Sequence, residues 1–119
     1  MTAARDLSMV RTGRLSAPPA VAVTTTPTIM HTVPAGKVQI VQVLGTNVDG
    51  VNDAALTVEW MDDSAADVAR SIIKGTVIKA GDAVQTPPKV LEAGDAIRVT
   101  ASANGDIEAH VDVIAELDA

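Results

Sequence analysis

Ala96-Ile97-Arg98-Val99-Thr100-Ala101-Ser102-Ala103-Asn104-Gly105-Asp106-Ile107-Glu108-Ala109-His110-Val111 is the stretch that decides how this chain is read. Two runs alternate apolar and polar residues with the period of two that gives a β-strand one buried and one wet face. Asn104-Gly105 favours a two-residue turn between them. That turn would set Val99 opposite His110 and Ile97 opposite Asp112, mixing apolar and polar side chains on one face. A three-residue loop, Ala103-Asn104-Gly105, with Gly105 left-handed as a bulge, removes the conflict. It pairs Ala101 with Ile107, Val99 with Ala109 and Ile97 with Val111, leaving Thr100 with Glu108 and Arg98 with His110 on the opposite face. The sequence therefore predicts a terminal hairpin in this register.

Working outward, β-branched residues dominate from Val21 onward and turn signals recur every eight to twelve residues. Strands are expected near 21–25, 28–33, 37–46, 55–61, 67–73, 76–79, 83–86, 96–102 and 106–116. Three corners share one design: Pro34-Ala35-Gly36-Lys37, Lys79-Ala80-Gly81-Asp82 and Glu92-Ala93-Gly94-Asp95. Each places glycine at the third position of a type II turn, where φ is positive. The segment 63–74 is the only rival for a helix, and its Val68, Ile72 and Ile73 suit an edge strand as well. In 37–46, Val38, Ile40 and Leu44 share one face while Val41 and Val43 take the other. This run is the expected central strand, covered on both faces, with Leu56, Val58 and Trp60 of the next strand paired against it. The fold class is all-β: an antiparallel β-sandwich or a jelly-roll-like barrel.

Residues 1–20 read differently. They end in Ser16-Ala17-Pro18-Pro19-Ala20, where consecutive prolines fix φ and remove donors, so an extended N-terminal arm precedes a domain over 21–119. Thr2 is a possible cap for a short helix presenting Leu7 and Val10. Residues 1–40 hold Arg5, Arg11, Arg14 and Lys37 against Asp6 alone, a balance of +3; with −6 for the whole chain, the remainder carries −9. A basic arm joins an acidic body.

Composition narrows the function. Of 119 residues, 47% are hydrophobic, yet Trp60 is the only aromatic, so the core is aliphatic and thin. Support from neighbouring subunits is expected. There is no cysteine, which removes disulfides and thiolate chemistry and fits a reducing cytoplasm. No apolar run resembles a signal peptide or approaches the ~20 residues of a membrane span. The acidic balance and the lack of stacking aromatics argue against a nucleic-acid partner.

Candidate chemistry is sparse. His31 and His110 stand in no ligand pair and near no serine nucleophile motif, and read as ordinary strand histidines. Two oxygen-rich loops, one with Glu59, Asp62, Asp63 and Asp67 and one with Asn47, Asp49, Asn52 and Asp53, lack the spacing of a calcium loop and read as solvated turns. Trp60 alternates with Leu56 and Val58 and reads as a core anchor. Phosphate-cradling and nucleophile-elbow motifs are absent. Neither enzyme activity nor a cofactor is expected.

Thr32-Val33-Pro34-Ala35-Gly36-Lys37 ahead of an apolar strand, and Val90-Leu91-Glu92-Ala93-Gly94-Asp95-Ala96-Ile97-Arg98-Val99 ahead of the last two strands, resemble small β-sandwich virion accessory proteins of tailed bacteriophages, of the capsid decoration or cement type. The likeness covers roughly residues 28–117. It implies a structural protein without catalysis, a symmetric and often trimeric oligomer, the major capsid protein as partner, and a place on the outer capsid surface after synthesis in the bacterial host cytoplasm. No functional residue transfers, because the matching residues shape turns; Gly36, Gly81, Gly94 and Gly105 are the turn-determining residues of the chain. The basic arm lies outside the likeness, and its Arg5, Leu7, Val10, Arg11, Arg14 and Leu15 are the expected capsid contacts. A neck, tail or fibre component, and a carbohydrate- or ligand-binding sandwich using its acidic loops, are the alternatives.

Overall fold

A single nested pairing scheme organises the computed structural model, which describes Arg11–Thr12 and residues 19–119. The strands are β1 (Arg11–Thr12), β2 (Val21–Ala22), β3 (Thr28–Thr32), β4 (Lys37–Asn47), β5 (Ala54–Asp62), β6 (Val68–Ile78), β7 (Ala83–Gln85), β8 (Lys89–Leu91), β9 (Ala96–Ala101) and β10 (Ile107–Asp118). β5 pairs with β6, β4 with β7 and β8, β3 with β9, and β2 with β10, all antiparallel. The chain is thus one long hairpin whose two arms stay paired as it rolls up. Pairing of β4 with β10 and of β5 with β9 closes the roll into two sheets. One runs β2-β10-β4-β7/β8, with β1 beside β2 on the same edge of β10; the other runs β3-β9-β5-β6. This is the order of a jelly roll, so the all-β sandwich expectation holds.

The interior is aliphatic, as the composition requires. Val41, Val43, Leu56, Val58, Leu91, Ile97, Ile107, Val111 and Val113 are all 1% exposed or less. Gly45 shows how closely the sheets approach: a Cβ there would lie 2.5 Å from Leu56 Cδ2. A side chain at 45 would push Leu56 out of place.

The terminal hairpin does not form. β9 and β10 lie in opposite sheets, and the loop between them crosses from one to the other. Ile97, Val99 and Ala101 and Ile107, Ala109 and Val111 are buried as expected, but they meet across the interior rather than side by side. Strand period specifies a face, not a neighbour. Both edges of β9 are occupied by β3 and β5, and both edges of β10 by β4 and the β1/β2 pair, so neither has an edge left for the other. On the outer faces, Thr100 therefore lies beside Thr57 and Arg98 beside Glu59, while Glu108 lies beside Thr46 and His110 beside Leu44. Gly105 is nevertheless left-handed, at φ 80°, and its amide donates to the Val23 carbonyl at 3.1 Å.

Other expectations are corrected for the same reason. β4 is an internal strand, but Leu56, Val58 and Trp60 face its sheet across the core instead of pairing with it. Its inward residues Gln39, Val41, Val43, Gly45 and Asn47 are buried, whereas Val38, Ile40 and Leu44 on the outer face are only half-buried. Segment 63–74 is not a helix: a single 3-10 turn at Asp63–Ala65 leads into β6, one long edge strand that absorbs the two strands expected at 67–73 and 76–79. β2 is shorter than the expected 21–25, and β8, which follows Pro87-Pro88, was not expected at all. Gly36, Gly81 and Gly94 have φ of 77°, 76° and 89°, and all three corners close with an i to i+3 backbone bond.

β1 places part of the arm against the body, with Arg11 opposite Glu116 and Thr12 opposite Ala115. Arg5, Leu7, Val10, Arg14, Leu15 and the possible helix after Thr2 lie outside the described residues. Replacing Gly105 by Val should cost about 1–3 kcal/mol through backbone strain. Urea melts of Gly105→Val and the parent measure this, and equal midpoints would refute it.

Candidate functional site

Several polar residues that could carry chemistry instead hold the roll together. At one end of the sandwich His31 of β3 reaches across the interior, and its Nε2 donates to Gln39 Oε1 of β4 at 2.7 Å. Gln39, 3% exposed, then donates through Nε2 to Glu116 Oε1 of β10 at 2.9 Å. One buried amide thus ties three strands and both sheets. Lys37 and Asp118 form an ion pair two rungs further along the same ladder. His31 thus bridges the two sheets through Gln39, a partner with no signal in the sequence.

The opposite end is organised by Asn47, which is fully buried. Its Nδ2 donates to the carbonyls of Asn52 and Ile78, both at 2.9 Å, and its Oδ1 accepts from the Asp49 amide at 2.9 Å. Asp49 Oδ1 in turn accepts from the amides of Asn52 at 2.9 Å and Val51 at 2.7 Å. These amide bonds, that from Asn52 first, hold the Asp49 carboxyl below its ordinary value. The loop expected as an oxygen-rich turn is one whose oxygens are spent on its own backbone.

The second acidic stretch behaves likewise. The Ser64 hydroxyl donates to Asp62 at 2.7 Å and is the leading cause of that carboxyl's lowered pKa, with Arg70 Nε at 3.2 Å adding to it. Asp95, 4% exposed, accepts from the amides of Asp63 and Glu92, both at 2.9 Å, and so pins two neighbouring corners together. Glu59 pairs instead with Arg98 at 2.8 Å on the outer face. Ala66 and Asp67 both have positive φ, 59° and 62°, where this corner reverses. Among the described residues, no three His, Cys, Asp or Glu side chains converge as a metal site would need.

Trp60 faces inward but is only half-buried, packing against the rim of the core rather than anchoring its centre. The Lys89 ammonium of the other sheet stands 4.3 Å from its ring centroid and the Arg70 guanidinium 5.8 Å. Lys89 thus contacts the ring across the sheets, and Arg70, the register partner of Trp60 on β6, contacts it within its own sheet. His110 bonds Asp112 at 2.8 Å on the outer face of its sheet.

What remains is surface. Val21, Ile29, Val48, Val51, Val68, Val77 and Val90 are exposed aliphatic residues spread over both sheets and the loops. Val21 and Ile29 flank a shallow groove of about 300 Å³ between β2 and β3, floored by Val23, Met30 and Val99. Its lining holds no titratable side chain, and its polar atoms come from Thr24, Thr28 and the backbone. Such a site can bury apolar contacts but cannot move a proton.

No family model matches the chain, and no curated protein matches it. Solved structures do. A chain of the Bacillus endospore appendages, described as disulfide-linked pili, is similar over 92% of this chain and 88% of its own, with a TM-score of 0.55 and 11% identity. A chain of infectious bursal disease virus, Gx strain, is similar over 90% of this chain with a TM-score of 0.51 and 11% identity. This chain spans only 31% of that viral chain. A pentameric capsid protein from metagenomic phage sequences is similar over 81% of this chain and 61% of its own at 19% identity, but its TM-score of 0.41 is too low to carry an argument. At these identities the likeness is one of fold.

Two consequences are measurable. Replacing the buried Gln39 by Ala leaves the half-buried His31 and Glu116 without this bridge and should cost about 1 kcal/mol in a urea melt; an unchanged midpoint would show the bridge to be idle. Asp49 and Asp62 have folded pKa values below the ordinary 3.8, so their contribution to stability is present above that value and is lost as pH falls through the folded pKa. Asp49→Asn should therefore show a shallower loss of melting temperature on acidification below that value than the parent, measured across an acid series. A parallel slope would refute the assignment.

Proposed function

We propose that this protein is a non-enzymatic structural subunit of a virus particle, a decoration or cement protein that binds the major capsid protein shell of a tailed bacteriophage from outside. The observation that carries the reading is the jelly-roll order itself, built over the whole described body with its polar side chains committed to joining strands. A fold spent in this way offers faces and edges to neighbours, and the viral chain of similar fold supports a particle setting. The capsid-contact role falls to the basic arm, with Arg5, Leu7, Val10, Arg11, Arg14 and Leu15, against the acidic surface expected of a shell partner. A homotrimeric body would multiply a weak contact per arm into stable attachment.

A neck, tail or fibre position uses the same surfaces. A second reading, a subunit of a surface appendage, is favoured by the pilus chain, which is matched over nearly its full length. With no cysteine in the sequence, such an assembly would be joined without disulfides. Catalysis and cofactor binding form no part of either reading.

The test keeps the chain full length. Replacing Arg5, Arg11 and Arg14 together by Glu should abolish co-sedimentation with undecorated capsids, and salt should weaken the parent's binding, while light scattering shows the same oligomeric mass for both. Full binding by the variant would refute the arm's role, and a monomeric parent would refute the trimer. Melting in EDTA and in millimolar calcium should coincide. A rise of many degrees with calcium would favour the ligand-binding alternative instead.

A further inference from the structure

We propose that Asn104 is a site of spontaneous amide loss whose reactivity is gated by docking of residues 21–25, and whose conversion in turn releases that segment. The proposal is independent of the function assigned above. Asn104-Gly105 joins a side-chain amide to the least hindered backbone nitrogen a chain can offer, and both residues are exposed to water. The reaction is closure of a five-membered imide. Gly105 N loses its proton and bonds Asn104 Cγ, the bond from Cγ to the side-chain nitrogen breaks, and that nitrogen leaves as ammonia. Water then opens either imide carbonyl, giving aspartate or isoaspartate.

In the fold both reacting groups are already engaged, and by the same segment. The Gly105 amide donates to Val23 O at 3.1 Å, and Asn104 Oδ1 accepts from the Thr25 amide at 2.8 Å. Imide closure needs the Gly105 nitrogen free and the Asn104 side chain turned onto it, so both bonds must first break. Residues 21–25 are otherwise held lightly. Val23 is the only buried residue among them, and β2 contributes just two ladder positions, Val21 with Ala109 and Ala22 with Glu108. The remaining backbone ties are Val23 N to Ile107 O at 2.8 Å and Ala101 N to Thr24 O at 2.9 Å. Half of the four bonds beyond the ladder therefore run through Asn104-Gly105.

The coupling works in both directions. Docking of 21–25 protects Asn104. Closure takes the N–H from Gly105 until water opens the imide, and isoaspartate, the product that then persists, lengthens the main chain by one carbon inside a tight, left-handed loop, which undoes the docking. The segment released is the one that connects the arm to the body.

The sequence makes the measurement clean. No Lys or Arg follows Arg98, so trypsin yields 99–119 as one peptide, and Asn104 is the only Asn or Gln in it. Mass spectrometry of that peptide, after incubation of the full-length protein at mildly alkaline pH with and without urea, should show amide loss roughly tenfold or more faster in the unfolded sample. Hydrogen exchange on the purified isoaspartate form should show faster exchange at residues 21–25 and unchanged protection in β4 and β5. Asn104→Ala, which removes the acceptor without the chemistry, should reproduce that exchange pattern. Equal rates of amide loss in folded and unfolded protein would overturn the gating. Unaltered exchange at 21–25 in the isoaspartate form would overturn the release.

Discussion

Everything in this fold hangs on the apolar faces of β9 and β10 meeting across the interior from opposite sheets. Each buried Val, Leu or Ile contributes about 1.5–3 kcal/mol, and no aromatic residue contributes to the centre of this core. The contacts must therefore be numerous, and the sheets close enough that position 45 is a glycine beneath Leu56. Sending β9 to one sheet and β10 to the other doubles the use of the chain's most regular alternation. Both inward faces then line one interior, and each strand gains two hydrogen-bonded neighbours instead of one.

A thin aliphatic interior leaves its ends to polar bridges. Gln39 at one end, Asn47 at the other and Asp95 at a corner are buried with their partners in place, and among the described residues no buried side-chain polar atom lacks one. An unpaired group in such an interior costs more than a bridge gains, so these residues restrict the alternatives open to the chain. The sheet edges are restrained in a similar way. β7 and β8 are separated by Pro87-Pro88, β3 is interrupted by a bulge beside Met30, and β6 carries Arg70, Lys74 and a left-handed Gly75. Broken, bulged and charged edges resist indiscriminate strand addition.

The candidate site was legible mainly by subtraction. That the two histidines and the two acidic stretches serve structure could be argued from missing motif spacings. Their actual partners could not. His31 and Gln39 are eight residues apart, but they belong to different sheets, and Glu116 joins them from the far end of the chain. Arg98 and Glu59 are 39 residues apart and become neighbours only because β5 lies beside β9. The groove between β2 and β3 left no signal at all, since its lining consists of residues whose sequence reads as ordinary strand.

By itself the sequence determined most of the local geometry: the majority of the extended stretches, the inward side of 96–101 and 107–113, and the left-handed glycines at 36, 81, 94 and 105 though not at 75. Those properties follow from φ/ψ sterics, strand period and turn chemistry, all of which act over a few residues. It also determined the character of the core, because a chain with one Trp and no Phe or Tyr can only pack aliphatic side chains. Tertiary structure alone decided which strand lies beside which. Alternation in 96–101 and 107–113 is satisfied equally by a local hairpin and by two strands facing each other across a sandwich. The choice fell to distant segments, β3 and β5 for one strand and β4 and β2 for the other, whose backbone groups also had to be paired.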